Sequence, residues 1–243
     1  MSLTITNSFQ DLLDQHQLNT FEAIWQLKAD WFEPPNHKRD GWSGVCKLQL
    51  SDTSVFVKRQ HNHARRTWLN PMTGESTLKR EFQILQHLQK YNVNAPELIA
   101  FGEVLNADKL DAVLMMKALN EYVALDDYVK TEPVTEPLIV AIALAIRQFH
   151  QAGVQHRSMY PKHIFVKKNA QNFEIALIDF EKSRFTKLAK LRAITDLRTF
   201  LRKVNAWPNN HQLTFFKAYY GLALTEKPLN FVYQALWFIM QKR

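Results

Sequence analysis

Lys58 stands at the end of the apolar run Val55-Phe56-Val57, and Asp179 closes a second run, Ile175-Ala176-Leu177-Ile178. Between them lies a loop dense in protic side chains, His156-Arg157-Ser158-Met159-Tyr160-Pro161-Lys162-His163, followed by Ile164-Phe165-Val166. An ammonium at the end of a strand can reach an anion lying beneath a hairpin. A carboxylate at the C-terminal end of a buried strand is fixed by that strand while its oxygens stay open, which suits a magnesium ligand. A lysine for phosphates, a carboxylate for the cation and a polar loop near an acceptor hydroxyl are the parts that phosphoryl transfer requires. Each has a plainer alternative: a solvated strand-end lysine, an aspartate capping the next helix, histidines hydrogen-bonded in a core.

Spacing weighs against those alternatives. A strand lysine needs a carboxylate to hold it, and Glu81 falls inside the helix expected after the hairpin, as in the strand-lysine and helix-glutamate ion pair of protein kinases. A solvated helix glutamate is the other reading of that position. The loop keeps the frame of the kinase catalytic loop, where His-Arg-Asp is followed by four variable residues, an asparagine and an apolar strand. Ser158 occupies the place of the catalytic aspartate, and His163 that of the metal-binding asparagine. His156 is expected to pack beneath the loop. Asp196, in Thr195-Asp196-Leu197-Arg198, sits where a helix aspartate would hold the loop backbone, or is a solvated helix residue. Gly41-Trp42-Ser43-Gly44 stands before the first expected strand, where a glycine-rich cover over phosphates belongs, although a plain turn reads the same way. Asp179-Phe180-Glu181 takes the place of Asp-Phe-Gly. Agreement of all these parts in order says more than any one of them.

Such residues need elements to position them. The apolar spacing over 9–31 predicts a helix, ended by Pro34-Pro35. Strands are expected at 45–50 and 55–58, joined by the turn-forming Ser51-Asp52-Thr53-Ser54. A helix over 76–91 with Ser76 or Thr77 as its cap follows, then strands at 98–104 and 112–117. The second half turns helical at 138–151, where Gly153 supplies the stop, and adds short strands at 164–166 and 174–178 around a turn holding Asn169 and Asn172. Helices rich in aromatics fill the remainder from about 187. The pattern is α+β: a small strand-rich N-terminal lobe over about 1–117, with an N-terminal helix, and a larger helical lobe over 118–243.

Composition agrees with one ordinary domain: 243 residues, 46% hydrophobic and 22% charged, with 12% aromatics to fill a core. Lysine and arginine total 31 against 23 acids, a net charge of +8 that favours anionic partners. Between 182 and 203 the basic residues are Lys182, Arg184, Lys187, Lys190, Arg192, Arg198, Arg202 and Lys203, with Asp196 the single acid. This stretch would line an acceptor site or form a solvated helix face. No aromatic platform or motif supports nucleic-acid binding, so none is expected. The lone Cys46 excludes an intramolecular disulfide and fits a reducing compartment. The first ten residues lack a signal-peptide pattern, and the longest apolar run, 138–146, falls short of the ~20 residues of a membrane span.

The chain resembles the Kdo/WaaP lipopolysaccharide kinase family, InaA branch, from about Trp31 to Tyr220. The resemblance rests on Glu33-Pro34-Pro35-Asn36, Gly41-Trp42-Ser43-Gly44-Val45, Tyr160-Pro161-Lys162-His163-Ile164 and Asp179-Phe180-Glu181-Lys182-Ser183-Arg184. It implies a protein-kinase-like fold, ATP and magnesium as cofactors, and a sugar hydroxyl of a lipopolysaccharide core or other anionic glycolipid as acceptor. Lys58, Glu81, Gly41, Ser43 and Gly44 would then bind ATP, Asp179 and His163 the metal, and His156 and Asp196 would support the loop. Lys58, Asp179 and Ser158 would be the catalytic residues. Apart from the resemblance, the missing signal peptide and membrane span and the lone cysteine lead us to expect a cytoplasmic protein. The basic stretch over 182–203 would suit peripheral contact with the inner face of the cytoplasmic membrane. Ser158 departs from the catalytic aspartate of sugar kinases, so an ATP-binding pseudokinase acting as sensor or scaffold is the alternative.

Overall fold

In the computed structural model, which describes residues 2–38, 40–65, 74–106, 109–170, 172–187, 189–225 and 229–241, the chain divides into two units. One comprises Met1–Gln86 with Pro96–Asn120, the other His87–Ala95 with Glu121–Arg243.

The first unit opens with β1 (Ser2–Ile5), a strand that too few residues announce for periodicity to find. Where the sequence predicts one helix over 9–31, the chain forms a 3-10 turn at Asn7–Phe9, α1 (Gln10–Gln15) and α2 (Phe21–Trp25). Two local features divide it. Gln17 takes a left-handed φ of 57°, and Thr20 Oγ1 accepts from the Ala23 amide at 3.2 Å, so a second helix starts inside the expected one. Pro34-Pro35 then fall not in a helix stop but in β2 (Trp31–Lys38), at a register irregularity between Glu33 and Asn36. On an edge strand the missing proline donors leave no ladder bond unmade.

Next come β3 (Gly41–Leu50) and β4 (Thr53–His61), a hairpin turning at Ser51-Asp52. A short pair, β5 (Ala64–Arg65) and β6 (Glu75–Ser76), precedes α3 (Thr77–Lys90), whose first turn is capped by Ser76 Oγ accepting from the Lys79 amide at 3.0 Å. β7 (Leu98–Asn106) and β8 (Lys109–Lys117) complete an antiparallel six-stranded sheet in the order β1-β7-β8-β4-β3-β2. Its core packs Phe9, Leu13, Phe21 and Ile24 of the N-terminal segment onto Val55 and Val57 of β4, Ile99 of β7 and Met115 of β8. Because strand side chains alternate, Phe56, Lys58 and Gln60 point away from that core.

The second unit carries β9 (Val123–Ala124) and α4 (Leu125–Thr131), then α5 (Glu136–Gln151), buried along Leu138, Ile142, Ile146 and Phe149. Gly153 takes a φ of 78° and stops α5, as its sequence position suggested. The chain continues through β10 (Val154–Gln155), a 3-10 turn at Pro161–His163, β11 (Ile164–Asn169) and β12 (Asn172–Leu177), paired in register from Ile164↔Leu177 to Asn169↔Asn172. It ends with β13 (Arg184–Phe185), α6 (Ala189–Lys203), α7 (Asn209–Tyr220) and α8 (Phe231–Gln241). No helix among the described residues is long and apolar enough to cross a membrane.

Candidate functional site

In the first unit, Lys58 Nζ donates to both carboxylate oxygens of Glu81, at 2.9 and 2.8 Å. The lysine side chain is 15% exposed and the glutamate 1%, so Glu81 is not the solvated helix residue of the plainer reading. Elementary geometry makes the pairing double. Lys58 and Gln60 are two residues apart on β4, about 6.6 Å, and Thr77 and Glu81 are four apart on α3, about 6 Å. Gln60 Nε2 accordingly donates to Thr77 Oγ1 at 2.8 Å beside the ion pair. Lys58 lies within β4 rather than closing it, since the strand runs on to His61.

Gly41, Ser43 and Gly44 do not precede the first strand; they lie within β3, and Gly41 pairs with Lys38 at the tip of the β2–β3 hairpin. A Cβ on Gly44 would sit 2.6 Å from the Trp31 ring, and one on Gly41 2.5 Å from the Asn62 carbonyl oxygen, so close packing already demands both glycines. Ser43 Oγ accepts from Gln60 Nε2 at 3.3 Å. Arg59, not singled out by its sequence, is buried with Nη1 donating to the Trp25 and Leu27 carbonyls at 2.8 and 2.9 Å, its guanidinium stacked 4.5 Å over Trp31.

In the second unit the loop from His156 to His163 hangs on a buried carboxylate. Asp196, fully buried on α6, accepts from the His156 amide at 2.7 Å and the Arg157 amide at 2.8 Å. His150 Nε2 lies 3.2 Å from the same carboxylate, and its Nδ1 2.9 Å from the Tyr219 hydroxyl. A carboxylate only accepts, so Nε2 carries the hydrogen and Tyr219 donates to Nδ1. Burial pushes the Tyr219 hydroxyl well above its usual value, which keeps that proton in place. Ser183 Oγ adds a bond to the His156 carbonyl at 3.2 Å. Neither His150 nor Ser183 was picked out as a supporting residue. A polar residue beside Phe149 on the apolar face of a helix was the available signal for His150.

His156 is fully buried and donates from Nε2 to the Ile178 carbonyl at 3.0 Å. Burial, partly opposed by the Asp196 charge, pulls it down to about 4, so it is neutral at physiological pH. Its ring stacks on His163 at 5.9 Å and 13°. His163 faces two ways: Nδ1 is 2.8 Å from the Ser158 carbonyl oxygen, and Nε2 is 3.2 Å from Asp179 Oδ2. Ser158 itself is buried.

Asp179 lies two residues past the end of β12 and caps no helix; its side chain is 37% exposed. Asp179 and Arg157 hold left-handed φ values of 65° and 67°. Such conformations cost about 1–3 kcal/mol each and concentrate at functional sites. The carboxylate of Asp179 and the imidazole of His163 are a donor set that fits a divalent cation. Among the described residues no group of three or more His, Cys, Asp or Glu could hold one unaided, so substrate oxygens and water would complete the shell.

These features place the chain in a class before they place it in a family. Its fold is α+β and protein-kinase-like: it covers 97% of the solved structure "WaaP in complex with acyl carrier protein", over 99% of its own length, with a TM-score of 0.72 at 19% identity. Residues 22–219 match the lipopolysaccharide kinase (Kdo/WaaP) family, and the chain belongs to it. Two relatives come from Escherichia coli (strain K12). Protein InaA is 29% identical over 172 residues, 68% of this chain and 78% of InaA. Lipopolysaccharide core heptose(I) kinase WaaP is 24% identical over 228 residues, 85% of this chain and 83% of WaaP. The family and the InaA branch that the motifs suggested are borne out.

Proposed function

We propose that the chain is an ATP-dependent phosphotransferase that moves the γ-phosphate of ATP to a sugar hydroxyl of a lipopolysaccharide core or related glycolipid. The observation that carries this reading is the Lys58–Glu81 pair. A carboxylate 1% exposed is costly to bury unless paired, and its partner is a fixed ammonium on the strand where kinases hold the nucleotide phosphates. The β2–β3 hairpin with Gly41, Ser43 and Gly44 would cover those phosphates. Asp179 and His163 would hold magnesium, which when bound neutralises charge on the transferring group. Asp196 and His156 would position the loop of Ser158, near which the acceptor would lie.

An anionic acceptor fits the surroundings of that loop. Arg184 pairs across β10–β13 with Gln155 and donates from Nε to its side-chain carbonyl oxygen at 2.9 Å. Desolvation and then the Arg192 and Arg157 charges lower Arg184 from its ordinary value, so Arg184 feels like charges from two neighbours. A phosphate or carboxylate on the acceptor would relieve that repulsion.

A second reading, an ATP-binding pseudokinase that senses or scaffolds, is favoured by Ser158 alone. A positioned base contributes about 10²–10⁴ in rate, while positioning and electrostatics carry most of phosphoryl transfer. A slow enzyme therefore remains an enzyme. The test is transfer of labelled γ-phosphate from Mg-ATP to purified lipopolysaccharide core, with Asp179→Ala as control. Transfer lost in the variant supports the kinase. Mg-ATP binding without transfer to that acceptor moves the assignment to the pseudokinase.

A further inference from the structure

Contacts around the loop lead outward from Asp179. The His163 ring is 3.2 Å from its carboxylate, and the Tyr160 ring stands at 61° to the His163 ring, 5.6 Å between centroids. The Lys203 ammonium lies over the Tyr160 ring in turn, 5.6 Å from its centroid. Sequence accounts for that meeting. Lys203 follows Asp196 by seven residues on α6, two turns along one helix face, so the face that grips the loop backbone also brings Lys203 to the loop. Tyr160 is fixed by its backbone: its amide donates to the Ser158 carbonyl at 2.8 Å, and its carbonyl accepts from the His163 amide at 2.9 Å. Ser158 is 2% exposed, whereas Tyr160 is partly open and Lys203 exposed. Among the described residues the Tyr160 hydroxyl makes no hydrogen bond and Lys203 no ion pair. A fixed ring, a hydroxyl and an ammonium are thus offered together beside the loop.

We infer that Tyr160 and Lys203 bind the acceptor, the ring against a sugar and the ammonium on an anionic substituent, so that the protein selects sugars already bearing a phosphate or carboxylate. The inference rests on the phosphotransferase reading above and names the residues and the feature by which the acceptor is recognised. A sugar ring has an apolar C–H face and a polar rim. Tyrosine matches both, with an apolar body, a polar tip and only two side-chain torsions to fix. The attraction of an exposed ammonium to a ring is weak, and the lysine stem is flexible, so Lys203 can leave the ring for a stronger anionic partner. The acceptor hydroxyl would then lie at the Asp179 end of these contacts and the anion at the Lys203 end. It follows that an earlier reaction, one that adds a charged group to the sugar, must supply the acceptor.

The test uses the full chain, Mg-ATP and lipopolysaccharide core oligosaccharide in three forms: intact, dephosphorylated and carboxyl-reduced. On the intact core, Lys203→Met should raise the acceptor KM at least about tenfold, the loss of one hydrogen bond to a charged group, and Lys203→Arg should restore it. Tyr160→Ala should raise it similarly, with Mg-ATP affinity as in the wild type. The wild type should lose the same factor on at least one modified core, which tells phosphate from carboxylate, and Lys203→Met should be indifferent to that modification. If Mg-ATP binds but no phosphate is transferred, the dissociation constant of the oligosaccharide from ligand-observed NMR replaces KM. The same ratios then keep the site and give it to the pseudokinase. Transfer with a KM that neither substitution moves, or that is alike on all three cores, overturns the inference and leaves the proposed function standing. A wild type that neither phosphorylates nor binds any of the cores removes both.

Discussion

A serine hydroxyl is a poor proton acceptor, and Ser158 holds the position where a carboxylate would draw the proton from an attacking sugar hydroxyl. If the chain is a kinase slowed by that loss, Ser158→Asp should raise the rate of γ-phosphate transfer by about 10²-fold or more. Single-turnover kinetics with labelled ATP would measure it, and an unchanged rate in a folded variant would count against the kinase reading. The Lys58–Glu81 pair makes a different demand. Removing Lys58 leaves a nearly inaccessible carboxylate without its ammonium, so Lys58→Met should destabilise the protein by about 3 kcal/mol in urea denaturation. Replacing both members, Lys58→Met with Glu81→Leu, should recover much of that loss, because no charge is then left buried. Both variants should lose ATP affinity. A double variant no more stable than the single would mean that Glu81 has another partner able to hold its charge.

The loop from His156 to His163 owes its shape to α6. Asp196 accepts the two backbone amides on separate oxygens, and an asparagine would set an NH2 donor against one of them. Asp196→Asn should therefore cost about 2 kcal/mol or more and lower the melting temperature by several degrees, as read by calorimetry. His156 adds a pH dependence. Its folded value is about 4 against an ordinary 6.5, so the unfolded chain binds the additional proton between those values and stability rises with pH there. The contribution is fully present above pH 6.5 and is lost as pH falls towards 4, by up to about 3 kcal/mol. Its neighbours Asp196, Asp179 and His163 modulate the value, and His156→Phe should flatten the profile in denaturant titrations across that window. The loop was legible in the sequence because each member is a polar residue at fixed spacing beside an apolar strand or helix. Elements that depend on distant partners were not. Pro34-Pro35 read locally as a stop, and only pairing with β3 reveals an edge strand that tolerates them. Thr20 could have signalled the cap that splits the N-terminal helix. Arg59 gave no signal, because its acceptors are the carbonyls of Trp25 and Leu27, remote in sequence.

Charge and apolar surface together bear on where such a protein works. The chain carries a net +8, and within 182–203 the one acid, Asp196, is turned inside. Lys182, Arg184, Lys187, Arg202 and Lys203 are exposed, so the outward charge of that stretch is positive. Nearby in the fold, α8 packs against α6 and sets Tyr233 and Trp237 against the Phe216 ring, while Phe231 and Phe238 are left 84% and 60% exposed, with Val232 and Ile239 beside them. An apolar helix face left in water invites a partner, and basic residues on the helix it packs against favour an anionic lipid surface. Each basic group near such a surface contributes about 1 kcal/mol, and burial of a phenylalanine about 1.5–3 kcal/mol. The protein should therefore sediment with vesicles containing phosphatidylglycerol and not with purely zwitterionic ones. Binding should weaken as salt shortens the Debye length from about 10 Å at 0.1 M to about 3 Å at 1 M. Phe231→Ser with Phe238→Ser should reduce partitioning at least about tenfold while leaving ATP affinity unchanged. Binding that keeps its salt dependence but ignores the double variant would assign the attraction to charge alone and give the α8 face to a protein partner.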